Sequence, residues 1–150
     1  MDQQKALLSR QLFVTLGIVH QLTDDWLDKA LIPHGITRSQ LNVLSHFSHQ
    51  PDRAQTISEL ASVMQMNQPG ITKVINKLLD MDLVSAEKDK HDGRKKWISI
   101  TEQGLLKLQQ AFTSFEPELF SCFEEWDSEE IKNTLQSVSK LKQWLDNNRR

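Results

Sequence analysis

Apolar residues recur at three- and four-residue steps through the start of the chain: Leu8, Leu12, Leu16, Val19, Leu22, Trp26 and Ala30. That period is the mark of a helix face, and it predicts one helix over residues 5–31. Leu7, Val14 and Ile18 add a second apolar stripe. At 1.5 Å per residue such a helix is ~40 Å long, about the full diameter of a compact domain of this size. A helix of that reach, apolar on two sides, is expected to extend beyond its own core and meet a partner chain. Leu8, Leu12 and Leu16 are its candidate dimerisation residues. Pro33 and Gly35 end it.

Two capping boxes follow. Thr37-Arg38-Ser39-Gln40 opens a helix with Leu41, Leu44 and Phe47 inward, and Thr56-Ile57-Ser58-Glu59 opens a short one with Leu60, Ala61, Val63 and Met64; in each box the Thr and the Gln or Glu satisfy each other's free N–H groups. Asn67 is a good N-cap for the next helix, whose Pro69 falls in the first turn, where a missing N–H costs nothing. Ile71, Val74, Ile75, Leu78 and Leu79 then mark one buried face. The opposite face holds Gln68, Thr72, Lys73, Asn76 and Lys77.

Beyond it the period changes from helix to strand. Leu83 to Lys88 reads as one strand and Trp97 to Ile100 as a second, joined by an Asp92-Gly93 turn among basic residues. Thr101 caps a further helix with Leu105, Leu108, Phe112 and Phe115 on one face; Pro117 predicts a kink or break in it. Asp127, with Glu130 three residues on, starts the last helix. Its apolar face carries Ile131, Leu135, Val138, Leu141 and Leu145.

Composition narrows the class. Leu, Ile, Val and Phe supply 42 of 150 residues, enough for a core. Five glycines and four prolines are too few for the many turns of an all-β fold. The single cysteine, Cys122, excludes an intrachain disulfide and a Cys-rich zinc module. No signal peptide and no apolar run of membrane-spanning length is present, so the expected location is cytoplasmic. The fold class expected is mostly α with a minor β part: a winged helix-turn-helix with long N- and C-terminal dimerisation helices. The expected division is 1–36 for the N-terminal dimerisation helix, 37–116 for the winged helix-turn-helix, and 117–150 for the C-terminal dimerisation helices.

A net charge of −2 does not announce nucleic acid. The distribution says more: residues 102–131 hold one basic and eight acidic side chains, while residues 68–97 hold seven basic and five acidic ones and are mildly basic. A short capped helix, a tight turn, an amphipathic helix and a basic hairpin make a winged helix-turn-helix. The N–H groups at a helix N-terminus suit a phosphate. Gln68, Thr72 and Asn76 can donate to and accept from base edges in a major groove. Lys73 and Lys77 can neutralise phosphates. At the wing tip Arg94, Lys95 and Lys96 can reach the backbone or a minor groove. The competing readings are two ordinary packed helices with a solvated hairpin, and a winged-helix protein-interaction adaptor without DNA affinity.

Residues 37–104 resemble the multiple-antibiotic-resistance regulator (MarR-type) family of transcription factors. The resemblance lies in the run from Asn67 to Leu78, Asn67-Gln68-Pro69-Gly70-Ile71-Thr72-Lys73-Val74-Ile75-Asn76-Lys77-Leu78, followed by Leu83-Val84. It continues in the Asp92-Gly93-Arg94 wing and in Ile98-Ser99-Ile100-Thr101-Glu102-Gln103-Gly104. It implies a homodimer joined through the terminal helices, with Leu135, Val138, Leu141 and Leu145 as dimerisation residues of the last one, placing two recognition helices and two wings on double-stranded DNA at a pseudo-palindromic operator, most commonly as a repressor. It makes Arg94 the wing arginine and Asp92 its orienting carboxylate. It also implies a small aromatic or anionic effector, with Trp26 and Trp126 as candidate contacts; packing is the competing role for both. Three positions depart from the family pattern. Asp82 stands where glycine usually ends the recognition helix, Asn76 replaces a frequent aspartate, and Ala86-Glu87 falls where an arginine is common.

Other constellations carry less. Two histidines, His46 and His49, are short of the three or four ligands a metal site needs. Cys122 lies among Phe120, Phe123, Glu124 and Glu125, surroundings that keep a thiol protonated and inert; a redox- or metal-responsive regulator is therefore the weaker variant. Asp24/Asp25 and Glu124/Glu125 are sequence neighbours that point apart on a helix. No phosphate loop or nucleophile elbow occurs. Neither catalytic residues, a cofactor nor a metal is expected, and the chain does not read as an enzyme.

Overall fold

The computed structural model describes residues 2–150, which form two compact units, one ending at Phe112 and the other running from Thr113 to Arg150. The described elements are α1 (Gln3–Leu31), a 3-10 turn (Ile32–His34), α2 (Arg38–Ser48), β1 (Gln55–Thr56), α3 (Ile57–Met64), α4 (Gln68–Asp80), β2 (Val84–Lys88), β3 (Lys96–Ile100), α5 (Glu102–Ser121) and α6 (Ser128–Asn147).

The caps sit where the sequence puts them. Thr37 and Gln40, Thr56 and Glu59, and Asp127 and Glu130 each form a reciprocal capping box. Asn67 Oδ1 accepts the Gly70 N–H at 2.7 Å and starts α4. The boxes also account for buried polar groups. Gln40 and Thr56 are almost wholly buried, and both are satisfied by their own caps.

In the first unit Val43, Leu44 and Phe47 of α2, Leu60 of α3, Ile71, Ile75 and Leu78 of α4, and Ile98 of β3 form the core. α3 packs on α4, α2 on α4 and β3, and α4 on β2. Arg38, in the first turn of α2, ties that helix to α1: its guanidinium lies 2.8 Å from Asp24 and 2.8 Å from Asp28, one turn apart. The bond to Asp28 is the main reason the Arg38 pKa is raised.

The sheet differs from the expected two-stranded hairpin. It has three antiparallel strands in the order β1-β3-β2, with Gln55 opposite Ile98 and Thr56 opposite Trp97. A two-residue strand is too short to show alternation, so nothing in the local pattern marks it. β2 and β3 pair from Val84–Ile100 to Lys88–Lys96, which turns Val84, Ile98 and Ile100 into the core.

Of the kink or break expected at Pro117, the break does not occur: α5 continues to Ser121. Proline there removes one i→i−4 hydrogen bond near the helix end, a loss the remaining turns tolerate. Gly104, third in α5, is required by close approach. A Cβ on it would lie 2.1 Å from the Leu83 carbonyl oxygen and 2.8 Å from Ile100 Cγ1. Beside it, Thr101 Oγ1 donates to the Asp82 carbonyl at 2.7 Å and accepts the Gly104 N–H at 3.0 Å. This junction fixes the start of α5 against the end of the β2–β3 hairpin.

Candidate nucleic-acid interface

The site is built on α3, α4 and the β2–β3 hairpin. Ile71, Ile75 and Leu78 anchor α4 from beneath, and that burial leaves Gln68, Thr72, Lys73, Asn76 and Lys77 exposed on the other side. These five line one open groove of about 640 Å³ together with Pro69 and Asp80. Among the described residues their side-chain polar atoms have no intramolecular partner, so their hydrogen-bonding capacity is free for a ligand. Asp80 is an acidic neighbour that the sequence reading passed over.

A second cleft, about 520 Å³, joins the wing to the helices. Its walls are Thr56, Ile57, Ser58 and Glu59 at the N-terminus of α3, Gln68 of α4, and Asp92, Arg94, Lys95 and Lys96 of the wing. The fold thus brings the four wing residues and Gln68 to one opening. The α3 N-terminus is a contributor the sequence reading left out. Its capping box was legible, but only the tertiary arrangement faces it toward the wing.

The wing tip is organised by two aspartates. Asp92 Oδ1 accepts the Arg94 backbone N–H at 3.0 Å, and the Lys95 N–H donates to the Asp92 carbonyl at 3.0 Å. Asp89 does more. Its Oδ1 accepts the N–H groups of His91 at 2.8 Å and Asp92 at 3.2 Å, and its Oδ2 accepts the Trp97 indole N–H at 2.9 Å. Its own N–H donates to the Lys95 carbonyl at 2.9 Å. The bonds from His91, Trp97 and Asp92, in that order, hold the Asp89 carboxyl below its ordinary pKa, and the Lys95 charge acts the same way. Lys95 Nζ lies 4.9 Å from the centroid of the Trp97 ring, a cation–π distance. Asp89 escaped the sequence reading; its spacing from Asp92 was the available signal.

The remaining candidates lie elsewhere. Leu8 and Leu12 are exposed on α1 and Leu16 is half-buried; Leu135, Val138 and Leu145 are exposed on α6 and Leu141 is half-buried. Trp26 is half-buried in the first unit, while Trp126, in the second, is exposed and meets Phe123 edge-on at 5.5 Å. His46 Nε2 is hydrogen-bonded to Gln55 Oε1 at 2.5 Å, and His49 is exposed. Cys122 is exposed, its Sγ 3.4 Å from the Glu118 carbonyl. Among the described residues no group of three or more His, Cys, Asp or Glu is placed to hold a metal ion, and no helix is long and apolar enough to cross a membrane.

Residues 34–95, which carry α2 to α4 and most of the wing, match the model of the MarR family. The chain is similar to that family over this segment, 62 of its 150 residues. The transcriptional regulator MhqR of Bacillus subtilis is 23% identical over 133 residues, which cover 89% of this chain and 90% of MhqR. A mutant of Escherichia coli MarR, solved in complex with operator DNA, superposes with a TM-score of 0.72 at 20% identity over 94% of this chain and 99% of that one. The regulator BldR of Sulfolobus solfataricus gives 0.75 at 20% identity, over 95% and 99%. At these identities the solved structures speak for the MarR-family winged-helix fold of this chain and no further.

Proposed function

We propose that this chain is a MarR-type transcription regulator that binds a pseudo-palindromic operator as a homodimer, with residues 37–116 reading the DNA and residues 1–36 and 117–150 joining two copies. One observation carries the DNA reading. The unpartnered polar face of α4 and the basic wing tip flank a shared cleft, with Gln68 common to both openings. Gln68, Thr72 and Asn76 are suited to base edges, Lys73 and Lys77 to phosphates, and Arg94, Lys95 and Lys96 to the backbone or minor groove beside them. Asp92 sets the backbone from which Arg94 projects.

The homodimer is supported by the faces left uncovered. Among the described residues of α1 only Leu31 is buried, and in α6 none is. Leu8, Leu12 and Leu22 on α1 are each more than half exposed, as are Leu135 and Trp144 on α6. Isolated helices owe little to propensity and most of their stability to packing, and uncovered apolar surface on this scale marks an interaction face. A second copy supplies the missing cover. The regulator's action as a repressor relieved by an aromatic or anionic effector belongs to the same proposal and is supported by the family alone.

The test is selection of genomic fragments by purified protein at two salt concentrations. Enrichment of a short inverted repeat, its half-sites about 34 Å apart and its binding lost steeply with salt, is the expected result. No enrichment at low salt overturns the DNA reading in favour of a protein-interaction adaptor. Leu135→Glu is expected to shift the sedimentation coefficient toward that of a monomer, and an unchanged value refutes the α6 assignment.

A further inference from the structure

The cation at the wing tip is free while the backbone beneath it is fixed. Among the described residues the Arg94 guanidinium has neither a hydrogen bond nor an ion pair, yet its backbone N–H is held by Asp92. Asp92 is in turn held by Asp89, which also grips His91 and the Trp97 indole of the opposite strand. One half-buried carboxylate therefore makes two bonds within the loop and one to β3. We propose that Asp89 is the positioning residue of the wing: through its bonds to His91, Asp92 and Trp97 it fixes the loop that presents Arg94 to DNA. The proposal rests on the wing contacting DNA and adds how the contact is made ready.

The physical case is one of ordering. A loop of exposed residues from Lys90 to Lys96 has no apolar anchor of its own. Left mobile, it would have to be ordered on binding, and that conformational cost would be taken from affinity. Asp89 meets it at folding. The Trp97 indole contributes twice, as a donor to Asp89 Oδ2 and as the ring beneath Lys95. Nothing of this needs Asp89 to touch DNA.

Charge makes the test decisive, because the two roles open to Asp89 have opposite signs. As a mere negative charge on a DNA-facing wing, Asp89 repels phosphate, so removing it would tighten binding. As a positioning residue, removing it loosens the wing and weakens binding. Asp89→Ala abolishes both charge and acceptors. Asp89→Asn abolishes the charge and keeps an oxygen for the His91 and Asp92 N–H groups. Trp97→Phe removes only the indole donor and keeps a ring under Lys95.

The experiment measures binding of full-length parent and variants to the operator obtained by fragment selection, over a range of salt. Deuterium exchange of residues 89–96 is followed in parallel without DNA, and far-UV circular dichroism confirms folding. Asp89→Ala is expected to bind about tenfold more weakly, with a salt slope shallower by about two, one lost phosphate contact in each wing of the dimer, and to exchange faster across the wing. Asp89→Asn is expected to stay within about threefold of the parent, and Trp97→Phe to fall between the two, since each keeps part of the bonding set. Asp89→Ala combined with Arg94→Ala is expected to lie within about twofold of Arg94→Ala alone, because the two residues act through one contact. Three results overturn the proposal: Asp89→Ala binding as well as or better than the parent, losses that multiply in the double variant, or wing exchange unchanged. A parent that binds no fragment at low salt overturns the DNA reading and this proposal together; a parent that binds, with Asp89→Ala unimpaired, overturns this one alone.

Discussion

Gly104→Ala sets two effects of opposite sign against each other. In a helix interior alanine is favoured over glycine by about 1 kcal/mol, and Gly104 is helical. On propensity alone the variant is therefore the more stable protein. The structure predicts the reverse. The new Cβ would lie 2.1 Å from the Leu83 carbonyl oxygen and 3.1 Å from its carbon, where contacts between carbon atoms are comfortable near 3.5–4.0 Å. The carbonyl cannot simply step back. It accepts the Thr101 N–H at 3.1 Å, while the Leu83 N–H donates to the Leu78 carbonyl at 3.0 Å. Overpacking of this kind costs about 1–3 kcal/mol, and the strained backbone hydrogen bond adds about 1 kcal/mol. After the gain in propensity is subtracted, the expected loss is about 1–3 kcal/mol. At this chain length each 1 kcal/mol lowers Tm by about 2–4 °C. The assay is urea unfolding followed by far-UV circular dichroism, with parent and variant at one protein concentration because association shifts apparent stability. A Gly104→Ala midpoint equal to or above that of the parent refutes the close approach of α5 to the hairpin.

The other predictions concern the turn after α4, the polar face of α4 and the wing. Asp82 adopts φ 57° just after α4, a left-handed conformation that costs residues with a Cβ about 1 kcal/mol; Asp82→Gly is expected to raise stability by about 0.5–1 kcal/mol in the same unfolding assay, since the Thr101 hydroxyl bonds the Asp82 backbone carbonyl and survives, and a lower midpoint refutes this. Arg94→Ala is expected to weaken operator binding by about 1–3 kcal/mol and flatten its salt dependence, and unchanged affinity and slope in a titration across salt refute the wing contact. Thr72 or Asn76 substitutions are expected to relax sequence preference while leaving non-specific binding intact; the same selected consensus from parent and variant counts against base reading. The Asp89 carboxyl is held below its ordinary value of 3.8 by the His91 and Asp92 N–H groups and the Trp97 indole. Its contribution is therefore fully present above the ordinary carboxylate range and is lost only as pH falls through the lowered value. The Trp97 indole N–H resonance is expected to titrate below pH 3.8, and a midpoint at or above that value refutes the bond.

The sequence by itself determined the helices, their starts and the exposed polar face of α4. Caps act within three residues, so Thr37, Thr56, Asn67 and Asp127 were legible where they stand. The 3.6-residue period separated the buried face of α4 from Gln68, Thr72 and Asn76 for the same local reason. The resemblance of residues 37–104 to MarR-type regulators rested on those residues, and the family match over residues 34–95 and the winged-helix fold agree with it. What the tertiary structure decided is every pairing across distant segments. β1 exists because Gln55 and Thr56 meet β3; two residues hold no pattern. The α3 N-terminus and the wing share a cleft because the strand order brings them together. Pro117 stays helical because the cost of one missing hydrogen bond is met by the turns around it, which periodicity cannot weigh. Asp89 reads as one more charge in a polar loop until the hairpin closes and sets the Trp97 indole 2.9 Å away. Local physics is written in neighbouring residues, whereas a contact between distant ones depends on the whole chain having folded.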